Sequence, residues 1–155
     1  MSEKTNGNMQ ITNIFNNELK GDALSNALNF AAFVTANGIA TGEGQLTYDG
    51  QAVCYFHVDG KDEMPGPWTI WTEGDYASAP EGFPINQETK ETAWANINIC
   101  GSCGGSCSPG ETKTVFGKEF DGVCGAIMAF TNPGKETQAG LFKILEMRMH
   151  VIRNP

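Results

Sequence analysis

The stretch LTYDGQAVCYFHV, residues 46–58, carries the strongest fold signal in the chain. Its two ends are rich in β-branched and aromatic residues, and Asp49-Gly50 between them favours the positive φ angles of a tight hairpin. We therefore predict two antiparallel strands here, at 46–48 and 52–58. Because the second strand is apolar on both faces, we also predict that it lies centrally in its sheet with other elements packed on each side.

Three further strands are predicted downstream of this hairpin. WTIWT at 68–72 follows a Pro-Gly-Pro turn signal and has strand composition. Strands are also predicted at 114–116 and 123–131, with the glycine-bounded segment 117–122 as their turn. Together with the first hairpin, these segments predict an antiparallel sheet of about five strands.

Three helices are predicted in the sequence before, between and after these strands. The first has Asp22 as its N-cap and Gly38 as its left-handed end, and the second runs from an Asn86 cap over 87–99. The third follows Asn132-Pro133 for about five turns. This order predicts an α+β fold in which the sheet packs with three main helices.

The domain organisation follows from length and composition. A chain of 155 residues is long enough to bury one core, so residues 21–155 are predicted to form a single α+β domain. Residues 1–20 are rich in asparagine and are predicted to be a polar arm or a short helix. The helical alternative rests on apolar residues with helical spacing, which are Ile11, Ile14, Phe15 and Leu19.

Charge and hydropathy exclude several function classes. The net charge is −8, and residues 1–110 carry 13 acids against 4 bases, which disfavours binding to a nucleic-acid backbone. No run of about 18 apolar residues is present, so no membrane partner is expected. The polar start also lacks the apolar segment of a secretory signal, and we therefore expect the cytoplasm as the compartment.

A cysteine cluster is the main chemical motif of the chain. CGSCGGSC at 100–107, together with Cys124, gives the spacing C-x2-C-x3-C-x16-C. In a reducing cytosol such a cluster is more typical of metal ligands than of disulfides. Four thiolates form a tetrahedral Zn²⁺ shell with bonds of ~2.3 Å. We therefore predict a structural Zn²⁺ site whose four ligands are Cys100, Cys103, Cys107 and Cys124.

Thiol redox chemistry is the alternative interpretation of the same cysteines. A redox enzyme or redox sensor would use Cys100 and Cys103 as its CxxC pair. Reactive thiols of this kind lie at helix N-termini, whereas Cys100 follows the C-terminus of the predicted helix 87–99. Iron–sulfur spacing is absent, and so the zinc interpretation is favoured over a cluster.

Aromatic residues in the first part of the sheet predict a candidate ligand pocket, formed by Tyr55, His57, Trp68 and Trp71. His57 is interpreted as a buried, hydrogen-bonded histidine, because no partner nucleophile accompanies it. Cys54 is interpreted as a core residue that cannot share a metal with His57, since positions i and i+3 of a strand face opposite ways. Without an identifiable acid/base pair, the chain is predicted to be a small-molecule-binding or regulatory module rather than an enzyme. The sequence leaves its oligomeric state open.

The segment 93–133 resembles small uncharacterised bacterial proteins that share a C-x2-C-x3-C-x-P-G stretch. The matching positions include Cys100, Cys103, Cys107 and Pro109-Gly110, followed by FGKEF at 116–120, Val123-Cys124 and FTNP at 130–133. The resemblance covers about a quarter of the chain and implies no activity. It implies the four cysteines as a cluster, and nothing further about the site.

Overall fold

The computed structural model describes residues 3–58, 67–72, 76–99 and 110–154, with side chains from residue 11 onward. This part of the chain contains four helices and one antiparallel sheet of seven strands. In chain order the elements are α1 (Glu3–Glu18), α2 (Gly21–Ala36), β1 (Ala40–Thr41), β2 (Gln45–Tyr48), β3 (Gln51–Val58), β4 (Trp68–Thr72), α3 (Gln87–Ala95), β5 (Ile97–Ile99), β6 (Glu111–Val115), β7 (Lys118–Thr131) and α4 (Lys135–Arg153). None of the described helices combines the length and the apolar character that crossing a membrane requires.

The hairpin predicted at 46–58 is present as β2 and β3. Asp49 and Gly50 have φ angles of 53° and 78°, which are the two successive positive values of a type I′ turn. β3 then pairs with β4, so it lies inside the sheet, as its apolar sequence indicates. The strand order is β1-β2-β3-β4-β7-β5, and β6 pairs with the other half of β7.

Trp68 shows how the helices cover the sheet. It is fully buried, and the rings of Phe15 from α1 and Phe30 from α2 lie 5.4 and 5.7 Å from its ring. α4 joins the same layer through Phe142, which stacks on Phe33 of α2 at 4.2 Å. These contacts place the three helices on one face of the sheet.

The opposite face of β3 differs from the prediction of cover on both sides. Phe56 and Cys54 point toward the helices and are buried, whereas His57 is exposed and Tyr55 is half-buried. Cover on this second face is therefore incomplete at Tyr55 and His57, although Val53 of the same strand is buried.

The described part of the chain contains more elements than the five strands and three helices predicted. α1 is a helix of 16 residues that buries Ile11 and Phe15, within the segment predicted to be an arm or a short helix. β1 is only two residues long, which is too short for an alternation pattern to reveal. β5 was missed because its sequence continues the helical spacing of α3.

The end of α3 is therefore a correction to the predicted helix 87–99. Asn86 caps the helix as predicted, since its Oδ1 accepts the amide of Thr89 at 2.9 Å. The helix ends at Ala95, and β5 begins at Ile97 and pairs with β7. β-branched Ile97 and Ile99 pair well in a sheet, and this pairing outweighs the helical pattern.

The helix end predicted at Gly38 is confirmed at the C-terminus of α2. Gly38 has φ 67°, and the amide of Ile39 donates to the carbonyl of Val34 while that of Gly38 donates to Thr35. This pair of bonds is a Schellman motif. At the N-terminus of α2 the predicted cap is wrong. Lys20 is the N-cap, and Asp22 lies in the first turn.

The connection from β7 to α4 also begins differently from the prediction. Asn132 is not the N-cap, a position that Gly134 occupies. Instead Asn132 has φ 43°, and its Oδ1 accepts hydrogen bonds from Trp68 Nε1 at 3.0 Å and from Asn26 Nδ2 at 3.2 Å. Its side chain thus links α2, β4 and the start of α4.

Gln138 forms a second polar link beneath this connection. It is fully buried on α4, and its Nε2 donates to the carbonyls of Asn26 and Pro133 at 2.8 and 2.9 Å. Its Oε1 accepts from Asn29 Nδ2 at 2.8 Å. Because both ends of the amide are satisfied, this buried polar group is compatible with the core around it.

The turn between the last two strands is shorter than the predicted 117–122. Phe116 and Gly117, with φ angles of 47° and 85°, form a two-residue turn, and β7 begins at Lys118. The amide of Phe116 donates to the carbonyl of Tyr76 at 2.8 Å, and the two rings meet edge to face. Cys124 is consequently inside a strand of 14 residues rather than at its start.

Candidate functional site

Of the four predicted zinc ligands, only Cys124 belongs to the described residues; Cys100, Cys103 and Cys107 lie outside them. Cys124 is half-buried on β7 and is a free thiol. The structure therefore bears on the predicted site through Cys124 and through the two points where the chain enters and leaves the cysteine segment, residues 100–109.

Val123, the residue before Cys124, pairs with both ends of that segment. Its Cα partner in β5 is Ile99, the residue before Cys100, and its Cα partner in β6 is Glu111. A strand residue has one partner on each side, so β5 and β6 flank β7 at this point. Residues 100–109 hence begin on one side of Val123 and end on the other.

Distances set by the sheet limit how far the cysteines of the segment can lie from Cys124. Neighbouring strands lie ~4.8 Å apart, so the Cα atoms of Ile99 and Glu111 are about 10 Å from each other. Cys100 directly follows Ile99, and Cys107 is three residues before Gly110. A chain reaches at most ~3.6 Å per residue, which leaves every cysteine of the segment within about 15 Å of one of these two ends.

Gly110 is required where the segment rejoins the sheet. A Cβ atom on Gly110 would lie 2.3 Å from the backbone carbonyl carbon and oxygen of Gly122. Gly122 itself has φ 70° and lies where β7 carries an extra residue relative to β6. This is the geometry of a β-bulge, and it brings Gly110, the residue after the cysteine segment, against Gly122.

Ligand groups other than the cysteine segment are lacking in the described residues. No group of three His, Cys, Asp or Glu side chains that could hold a metal ion occurs among them. Cys54 is fully buried, and burial raises the pKa of its thiol far above the usual range. It faces the helices while His57 is exposed on the other face, so the two do not form a second site.

The strand β5 changes one argument about thiol chemistry. Cys100 follows a β-strand, and not the C-terminus of a helix as predicted. The helix dipole that would disfavour a thiolate at this position is therefore absent, and the argument against redox chemistry from the helix end no longer applies. The case for zinc rests on the four thiols and on the position of the segment.

Three of the four residues predicted to form a ligand pocket share one face of the sheet. Tyr55 and Trp71 are directly opposite each other on β3 and β4, and both are half-buried. The ring of His57 lies 6.3 Å from that of Trp71. Beside them the hydroxyl groups of Thr69 and Thr131 are 3.2 Å apart.

Trp68 is separated from these three residues by the sheet itself. It points into the core and donates its indole N–H to Asn132. It cannot line a pocket with Trp71, because successive strand residues face opposite ways. His57 likewise differs from the prediction of a buried histidine, since its side chain is exposed.

A cavity elsewhere in the molecule was not predicted from the sequence. It has a volume of about 470 Å³ and lies between the segment before α3 and Lys143 of α4. Its residues come from parts of the chain more than 50 positions apart, and they follow no motif. The turn chemistry of Pro80-Glu81-Gly82 was the one local signal near it.

The described residues thus offer a half-buried thiol at Cys124, next to a residue that pairs with both Ile99 and Glu111, together with an aromatic sheet face and a separate cavity. Comparison with protein-family models, with curated proteins and with solved structures gave no match to this chain.

Proposed function

We propose that this chain is a cytoplasmic zinc-binding domain in which Cys100, Cys103, Cys107 and Cys124 hold one structural Zn²⁺. The observation that carries the proposal is the pairing of Val123 with both Ile99 and Glu111. In this pairing Ile99 and Glu111, which bracket the cysteine segment in the sequence, lie on either side of the residue that precedes Cys124. A four-thiolate shell is one of the common forms of structural zinc.

The ion would act as a cross-link within the sheet. It would connect the end of β5 and the start of β6 to the middle of β7. With four protein ligands it has no open position for water or substrate, which favours a structural over a catalytic role. The domain itself would then serve as a small-molecule-binding or regulatory module, with Tyr55, His57 and Trp71 as a candidate contact surface.

Metal content and thiol reactivity test the zinc site together. The protein should be purified under reducing conditions without chelator, and zinc measured by mass spectrometry alongside thiol titration. We expect one zinc per chain and four protected thiols besides buried Cys54. Cys124→Ala should lose zinc and melt at a lower temperature, because metal-binding energy contributes to folding energy.

Cys54→Ala is the matched control for that variant. It removes a thiol from the same protein without touching the cysteine segment, so its zinc content should equal that of the unmodified chain. Metal-free protein with one rapidly alkylated thiol at Cys100 or Cys103 would overturn the zinc proposal and support the redox alternative. Zinc that is retained in full by Cys124→Ala would show that Cys124 is not a ligand.

A further inference from the structure

The cavity between the segment 82–89 and α4 has the properties of a small-molecule site. Its volume of about 470 Å³ is within the range of ~300–1,000 Å³ that is typical of ligand pockets. Phe83, Pro84 and Ile85 provide its apolar walls, and Asn86, Thr89 and Lys143 its polar ones. Lys143 is the one charged side chain among the described residues that line it.

The apolar wall is held in place from two directions. The amide of Phe83 donates to the carbonyl of Pro80 at 3.1 Å, and Gly82 between them has φ 84°, as a type II turn requires. The Phe83 ring also lies 5.4 Å from the ring of His150 on α4. The wall is therefore pre-formed, which lowers the entropy cost of binding a ligand.

The polar groups of the cavity are not equally available. Asn86 Oδ1 already accepts the amide of Thr89 at 2.9 Å, and Thr89 is buried. Lys143 Nζ lies 3.3 Å from Glu146 Oε1, but its side chain is 58% exposed. An exposed pair of this kind contributes at most ~1 kcal/mol, and an ammonium group has further donors for a second anion.

We propose that this cavity binds a small carboxylate whose hydrocarbon or aryl part contacts Phe83 and Ile85 and whose carboxyl group pairs with Lys143. The charge at the cavity supports an anion, since Lys143 is the one charged side chain among the described residues that line it. The proposal uses no residue of the cysteine segment. The carboxylate site can consequently be disproved while the zinc site is confirmed, and the zinc site can be disproved while the carboxylate site is confirmed.

Titration of ¹⁵N-labelled protein with phenylbutanoate tests the site, with phenylbutanamide as the neutral analogue of the same shape. For ligands of this size a Kd of about 1 mM is expected. Saturable shifts should be concentrated in the backbone amides of 82–89, except Pro84, which has no N–H, and in that of Lys143. The carboxylate should bind about fivefold more tightly than the amide, as one exposed ion pair allows.

Two variants that each remove one positive charge distinguish a direct contact between Lys143 and the carboxylate from a general effect of protein charge. Lys143→Gln should abolish the preference for the carboxylate, whereas Lys135→Gln, at the exposed start of the same helix, should retain it. Phe83→Ala should weaken both ligands alike. The proposal is overturned if no saturable shifts occur at about 10 mM ligand, well above that Kd, or if Lys143→Gln keeps the full preference.

Discussion

The indole N–H of Trp68 donates to Oδ1 of Asn132 across 3.0 Å, which ties the largest buried side chain of β4 to the residue where the chain turns from β7 toward α4. Asn132 also has a positive φ of 43°, a conformation that asparagine tolerates better than most residues. One side chain therefore satisfies a buried donor and permits the turn.

Replacing Asn132 should separate these two contributions. Asn132→Ala removes the acceptor and strains the turn, with an expected loss of about 2–4 kcal/mol in the free energy of unfolding. Asn132→Gly removes the acceptor alone and should lose about 1–3 kcal/mol. Urea unfolding followed by tryptophan fluorescence measures both, and equal losses would show that φ carries no cost.

Gln138→Glu should make stability depend on pH. The Nε2 group of Gln138 donates to two carbonyls, and a carboxylate there would face those oxygens without a donor. Burial would raise the pKa of the introduced carboxyl above its unfolded value of about 4.3, so the folded state would favour the protonated acid. Stability of the variant should then be highest below pH 4 and fall as pH rises.

Chemical unfolding between pH 4 and 8 checks this dependence, with the unmodified protein measured in parallel to subtract the other titrating groups. Glu136→Gln serves as a control on the exposed first turn of the same helix. It should leave the profile close to that of the unmodified chain. A flat difference profile for Gln138→Glu would contradict the buried environment described for this side chain.

Gly110→Ala should destabilise the sheet where the cysteine segment rejoins it. The added Cβ would lie 2.3 Å from the backbone of Gly122, and backbone cannot move away as a flexible side chain can. Forcing extra volume into a packed site costs typically ~1–3 kcal/mol. Thermal unfolding should show a lowered midpoint.

Gly125→Ala is the matched control, because no atom of the described residues lies within 4 Å of a Cβ at that position and both glycines are close to Cys124. It should change the midpoint little. If the two substitutions had the same effect, the close contact between Gly110 and Gly122 would not be present in solution.

Cys54 should make a defined contribution to alkaline destabilisation. Burial raises the pKa of its thiol, whereas the unfolded chain ionises near the ordinary value of about 8.5. The stability that this group contributes is present below pH 8.5 and is lost as pH rises, at up to ~1.4 kcal/mol per pH unit. Cys54→Ala removes this dependence.

The difference between the two proteins isolates the contribution of Cys54, since the remaining cysteines titrate in both. Urea unfolding at pH 8 and pH 10 should show a steeper loss for the unmodified chain. Alkylation kinetics give a second measurement, because Cys54 should react with iodoacetamide only when the protein unfolds. Rapid reaction in the native protein would contradict its burial.

Local chemistry explains which parts of the fold were predictable from the sequence. Asp49-Gly50 specifies its turn through residues that tolerate positive φ, and Gly38 ends α2 for the same reason. Asn86 is likewise a short-range cap. Each of these features depends on a few neighbouring residues, and a pattern in the sequence is sufficient to identify it.

Contacts between distant residues explain what was missed. Phe116 adopts a positive φ that its residue type disfavours. The hydrogen bond from its amide to the carbonyl of Tyr76 stabilises this conformation. Ile97 leaves the helical pattern because β7 offers it a strand partner. The position of Trp68 relative to Trp71 follows from strand alternation, which the prediction of one pocket for both did not take into account.

The candidate site likewise combines features that a local sequence pattern predicts with features that depend on contacts between distant residues. Cysteine spacing predicts the ligand set of the proposed zinc site, and this set remains a prediction. The placement of Ile99 and Glu111 around Val123 required the pairing of three strands that the sequence does not align. The cavity beside Lys143 depends on packing of α4 against a loop, and no motif signals it.

The central position of β7 has a consequence for how the chain folds. It is the last strand of the described sheet, yet it separates β4 from β5 and holds β6. During synthesis the meander from β1 to β4 must therefore wait with one edge unpaired until residues 118–131 are available. An open edge of this kind invites pairing with another chain. The nascent protein is thus most exposed to aggregation in the interval before residues 118–131 emerge.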